Sequence, residues 1–236
     1  MELLIPQPGV PSSRRDFFKR ASLGAGVLAS ATALQACDSN GNEEEDDAVV
    51  LDFSTDNGVL NYAYALEQLE YEFYKQVLAT PYASMTAAET SVFTDLRAHE
   101  GIHRDFLKTA LTPANAIGDL SVDFSSINFS QRASVLGAAV TFEDLGIAAY
   151  NGAGKYLRDG GLLTIAGKIV SVEARHASAI RDLILNNVRS GATVGEAGMG
   201  LLEVITVDAL DRAFEPGQVL DAAGVYITND ITVRGL

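Results

Sequence analysis

Tryptophan is absent from the 236-residue sequence, and cysteine occurs once. A single cysteine excludes an intrachain disulfide and a thiolate metal cluster. Positive charge is also scarce, with 17 Lys and Arg against 31 Asp and Glu and a formal net charge of −14. So acidic a chain repels phosphate backbones, which argues against nucleic acid as a partner. No uninterrupted apolar run approaches the roughly 20 residues of a membrane-spanning helix, although 47% of the residues are hydrophobic. What remains is a chain able to build one large core, not a membrane bundle.

The first residues read as an address. Ser13-Arg14-Arg15-Asp16-Phe17-Phe18-Lys19 precedes a mildly apolar stretch, residues 21–36, and charged, then apolar, then small residues is the order of a secretory signal. The paired arginines with Phe17 and Lys19 resemble a twin-arginine export signal, a route similar to that of proteins that fold and load metal before crossing a membrane. Leu34-Gln35-Ala36-Cys37 resembles a bacterial lipobox, with Gln35 an imperfect fit. This makes residues 1–36 a removable signal and Cys37 the lipidated first residue of an exported, envelope-anchored chain. The plainer alternative, a buried inert thiol, does not suit a cysteine between a signal and a polar tether. Residues 37–55, with Glu43-Glu44-Glu45-Asp46-Asp47, are expected as an acidic flexible tether that buries little. The partners implied are the export machinery and, through Cys37, the membrane.

The folded domain is expected over 56–236 and all-α. Residues 56–79 have apolar positions three and four apart until Pro81 intervenes, which predicts a first helix. Thr86-Ala87-Ala88-Glu89 is a capping-box pattern opening a second helix over 86–111. Residues 112–129 have no helical period and form a long crossover. Ser130 is expected to cap a third helix over 130–157, stopped at Asp159-Gly160-Gly161, and a fourth covers 163–189. An appendage over 193–236 is expected to hold a fifth helix opened by Thr193-Val194-Gly195-Glu196 and reaching Phe214, a short sixth from Pro216, and a tail rich in β-branched residues.

The chemistry-bearing residues repeat. Glu100-Gly101-Ile102-His103 and Glu173-Ala174-Arg175-His176 each put a carboxylate and an imidazole three positions apart, on one helix face. One such pair is weak evidence, but two of the three histidines are placed this way, on alternate helices. The other two helices carry Glu67 followed by Tyr74 and Glu143 followed by Tyr150, seven apart in both, so the halves look like an internal repeat. Spacing to the next Glu-x-x-His is 33 from Glu67 and 30 from Glu143. Glu70 would give 30 in both halves but loses the Leu and Tyr matches, so it stands in reserve behind Glu67.

Burying four carboxylates together costs several kcal/mol per ion unless cations compensate, and two divalent metals would neutralise all four. Oxygen-rich ligation with one imidazole per ion suits iron, or manganese, better than zinc. The bland alternative is a protonated network in a metal-free bundle. Tyr74 and Tyr150 lie on the ligand face, as core aromatics or as hydrogen-bonding neighbours. His99 and Asp144 are candidates for orienting a ligand histidine from outside.

Ala65-Leu66-Glu67-Gln68-Leu69-Glu70-Tyr71-Glu72-Phe73-Tyr74, Phe142-Glu143-Asp144-Leu145-Gly146-Ile147-Ala148-Ala149-Tyr150-Asn151-Gly152-Ala153 and Val172-Glu173-Ala174-Arg175-His176-Ala177 resemble the ferritin-like family that includes desiccation-related proteins. The resemblance implies a four-helix bundle with a long crossover between its second and third helices, and a di-iron or di-manganese site at Glu67, Glu100, His103, Glu143, Glu173 and His176. It fixes a site better than a reaction. Three functions are compatible: an oxidoreductase acting on oxygen or peroxide in stress protection, a non-catalytic metal-binding protein, and a metal-free structural protein of the envelope. A lipid tether suits a small assembly, such as a homodimer, better than a storage cage.

Overall fold

The computed structural model describes residues 48–189 and 210–236. The expected export signal, Cys37, the acidic run at 43–47 and most of the expected fifth helix lie outside the described residues. The described chain runs β1 (Val49–Asp52), α1 (Asp56–Ala79), α2 (Ala87–Leu111), α3 (Arg132–Ala153), a 3-10 turn (Gly154–Tyr156), α4 (Gly160–Arg189), α5 (Pro216–Ala223) and β2 (Ile231–Arg234). Helices dominate, and the fold is an all-α bundle. α1 packs on α2 and α3 on α4, and contacts of α1 with α3 and of α2 with α4 close the four-helix core.

Local chemistry sets the helix ends. Thr55 caps α1 by accepting from the Gly58 amide at 3.1 Å, and Thr80 ends it just before Pro81, which has no amide to donate. At α2 the capping box forms, with Glu89 N–H donating to Thr86 Oγ1 at 3.2 Å and Thr86 N–H to Glu89 Oε2 at 2.7 Å. Ser130 does not cap α3. Its hydroxyl donates to Asn128 Oδ1 at 2.7 Å, and the helix begins after Gln131 with no side-chain cap. The Asp159-Gly160-Gly161 stop is also the next start, because Asp159 Oδ1 accepts from the amides of Gly161 and Leu162 at 2.7 and 2.9 Å. α4 therefore begins at Gly160, three residues before the expected 163.

Two buried amides on α1 organise the crossover. Asn61 donates to Asn115 O at 2.8 Å and accepts from Ile117 N at 2.9 Å, while Gln68 donates to Gly118 O at 3.3 Å and accepts from Leu120 N at 2.8 Å. Seven residues apart, they lie on one face of α1 and satisfy backbone groups that a helix-free segment cannot pair internally.

The tether boundary needs correction. Residues 49–55 belong to the folded unit: β1 pairs in parallel with β2, Val49 opposite Ile231 through Asp52 opposite Arg234. Leu51 and Phe53 are fully buried, so this segment has apolar area to bury. Gly58 lets β1 lie close, since a Cβ there would stand 1.8 Å from the Asp52 carbonyl oxygen. The expected fifth helix is not helical at 210–214, where the Phe214 amide bonds Ala148 O at 3.0 Å as extended chain over α3. Gly152 permits that approach, a Cβ there falling 1.7 Å from Phe214 O.

α3 with its 3-10 turn is apolar and long enough to cross a bilayer, but most of it is buried inside the bundle. It is a core helix of the bundle, as α1 is.

Candidate metal centre

Each helix of the bundle sends a glutamate into one buried space. Glu67 (α1), Glu100 (α2), Glu143 (α3) and Glu173 (α4) are fully buried, and His103 and His176 are 9% and 4% exposed. The three-residue spacing within α2 and α4 does what helical geometry requires, placing each histidine beside its own glutamate.

The donors form two overlapping sets. Glu67, Glu100, His103 and Glu173 each offer one atom, all within 4.8 Å of one another, and so do Glu100, Glu143, Glu173 and His176. Glu100 and Glu173 belong to both. His103 Nδ1 lies 2.9 Å from Glu173 and 3.3 Å from both Glu67 and Glu100. His176 Nδ1 lies 2.9 Å from Glu100 and 3.4 Å from Glu143 and Glu173. The two halves are related as the internal repeat predicts.

Short as these distances are, eight of the atoms make no hydrogen bond: Glu67 Oε2, both oxygens of Glu100 and of Glu173, Glu143 Oε2, and Nδ1 of each histidine. They are close without hydrogen-bonding one another, and one atom from each residue of a set lies within 4.8 Å of the others. Buried donors and acceptors left this way are costly unless something else satisfies them. A set of four carboxylates and two imidazoles suits hard or borderline divalent cations.

Comparison with known families matches residues 55–186 to the ferritin-like domain. The chain belongs to the ferritin-like domain family. No curated protein matches it.

Around this ferritin-like cage the charges are strongly displaced. Burial, reinforced by Glu173, pushes the Glu67 carboxyl up to about 8, and burial holds Glu143 well above the carboxylate range. Burial alone would lower His103 and His176, but the surrounding carboxylates push both up to about 12. Glu173 goes the other way, to about 2, since its two histidine neighbours outweigh its burial.

The tyrosines are crossed. Tyr150, on α3, donates to Glu67 of α1 at 2.5 Å, and Tyr74, on α1, donates to Glu143 of α3. Each glutamate used by only one donor set is thus anchored by the tyrosine of the other half. Burial and the adjacent carboxylates hold both phenols well above their ordinary range, so they remain donors.

His99 Nδ1 lies 2.9 Å from His176 Nε2. Together with His103, His176, Asp95 and Arg175 it lines a groove of about 440 Å³ between α2 and α4, on the histidine side of the cage. Asp144 does not orient a histidine. One position past Glu143, it faces a different side of α3 and accepts from Arg181 of α4 at 2.7 Å.

Glu70 is buried but belongs to neither donor set. Its carboxyl lies against Gly146, where a Cβ would be 2.9 Å from Glu70 Oε1. Glu70 follows Glu67 by three and Gly146 follows Glu143 by three, so in the internal repeat a carboxylate on one helix faces a glycine on the other. That complementarity can be read from the aligned halves, though only as a hint of contact. The Asn61 and Gln68 clamps had a weaker signal, two amides seven apart on one helix face.

Proposed function

We propose that this ferritin-like domain holds a pair of divalent ions, iron in first place and manganese in second, and acts on oxygen or peroxide in protection of the cell envelope. The observation that carries the reading is the convergence of eight buried donor atoms without hydrogen-bond partners. In it, Glu67 and His103 hold one ion, Glu143 and His176 the other, and Glu100 and Glu173 serve both. Paired metals, when bound, supply binding and reduction of oxygen species. The chain's own residues do the rest. Tyr150 and Tyr74 fix the two outer glutamates, His99 engages His176 Nε2 and leaves Nδ1 for the ion, and the groove at His99 gives small polar molecules a way in.

The address belongs to the same reading. The order of residues 13–37 supports twin-arginine export and a lipid anchor at Cys37, and in this reading the domain works at the envelope, in a small assembly such as a homodimer. A non-catalytic metal-binding role is the second reading. With a single cysteine, an electron relay of the rubredoxin type would need an outside partner.

Oxygen and peroxide consumption by metal-loaded protein separates the two. The first reading expects turnover above free metal that disappears in Glu67→Ala. Background rates with metal fully bound would leave the non-catalytic role.

A further inference from the structure

The four helices also enclose a space of the opposite character. It measures about 30 Å³ and is bounded by Ala63, Leu66, Leu107, Tyr150, Leu162 and Ile169 among others, every lining side chain being hydrocarbon except for the tyrosines Tyr62 and Tyr150. A water needs roughly 10–15 Å³ and two to four polar partners. The space satisfies the first condition, but the Tyr62 hydroxyl is the one unpartnered polar group in its wall, short of the two to four that the second requires. Organic ligand sites run to roughly 300–1,000 Å³, so lipids and ring compounds are far too large.

Its position gives it a use. Leu66 precedes Glu67 in the chain, and Tyr150, which forms part of the wall, donates through its hydroxyl to Glu67. The space is therefore one side chain away from the carboxylate cage, on the Glu67 side. Half-buried Phe106, Leu162 and Ile165 line its outer part. The groove at His99 and His176 is polar by comparison and lies on the histidine side.

We propose that this cavity binds dioxygen, a small uncharged apolar molecule, and holds it next to the Glu67 half of the site. The inference rests on the oxygen or peroxide reading above. Dioxygen gives up no hydrogen bonds on entering a hydrocarbon space. Peroxide, with two hydroxyl groups to desolvate, would lose several kcal/mol there and is left to the groove. The molecule thus has separate approaches for an apolar gas and for a polar oxidant.

Xenon, an apolar atom of similar size, reports on the cavity with or without metal. Crystals of the full chain under xenon pressure should show one xenon between Leu66, Tyr150 and Ile169. Ala63→Leu, or Ala166→Leu at the half-buried rim where folding is less at risk, should abolish it. In ferrous-loaded protein the same variants should slow oxidation by oxygen about fivefold or more, equivalent to roughly 1 kcal/mol, and leave oxidation by peroxide unchanged. An empty cavity under xenon overturns the proposal, and so does equal slowing, or no slowing, of both oxidants. A protein that takes xenon but no metal would instead refute the reading on which this one rests.

Discussion

At the scale of single residues, the two buried glutamates one turn apart on α1 have different environments. Glu67 meets Tyr150 and His103, whereas Glu70 meets Gly146 and enters neither donor set. Glu67→Ala should therefore lose bound metal and Glu70→Ala retain it, as metal analysis of the two purified variants will show. The reverse result would shift the site by nearly a turn. His99→Ala should weaken metal binding about 10–100-fold, the usual effect of removing the outer partner of a ligand histidine. Competition titration with a chelator measures this, and unchanged affinity would reduce His99 to a groove residue. Glu100, His103, Glu173 and His176 are legible in the sequence because a spacing of three on a helix is already a statement about faces, whereas Glu143 and Glu67 come from the internal repeat, Glu67 only as a preference over Glu70. Asp144 is not legible, since its partner Arg181 lies 37 positions on and nothing in the local pattern points to it. The crossed tyrosines are half legible: the spacing of seven puts Tyr74 on the face of Glu67, but only packing reveals that it serves Glu143.

At the scale of elements, the helices follow from periodicity and caps, and the capping box at Thr86 and the proline after α1 mark two ends closely. The misread ends are those where side chains choose between competing partners, as Ser130 does with Asn128 and Asp159 with the first amides of α4. β1 escapes a local reading altogether. Four residues after an acidic run carry little signal, and their partner strand lies at the other end of the chain. Gly58 is the hinge of that packing. Gly58→Ala must displace either β1 or the start of α1, and should destabilise by about 1–3 kcal/mol as overpacking does. Thermal unfolding should show a lowered Tm with metal content of the folded protein unchanged. An unaltered Tm would mean that β1 moves aside freely.

At the scale of the whole molecule, the cage makes stability depend on pH and metal together. In the metal-free protein Glu67, Glu143, His103 and His176 all hold protons more tightly than in an unfolded chain, with Glu67 near 8 and the histidines near 12. Unfolding then releases protons, so stability falls as pH rises, for Glu67 from about 4.5 through about 8 and for the histidines from about 6.5 upward. Glu173, lowered to about 2, acts oppositely, and its effect is complete once pH exceeds about 4.5. Melting curves of metal-free protein should show Tm declining between about pH 5 and 8. Divalent ions displace those same protons, so the rise in Tm on adding metal should grow over that interval. A rise that shrinks with pH would mean the ions bind elsewhere.

A cage of four carboxylates and two imidazoles is built for cations rather than for protons. Metal analysis of the purified full chain, expressed in iron- and manganese-replete medium, tests this most directly. Two donor sets sharing Glu100 and Glu173 predict about two ions per chain, and a content below about half an equivalent would contradict the account.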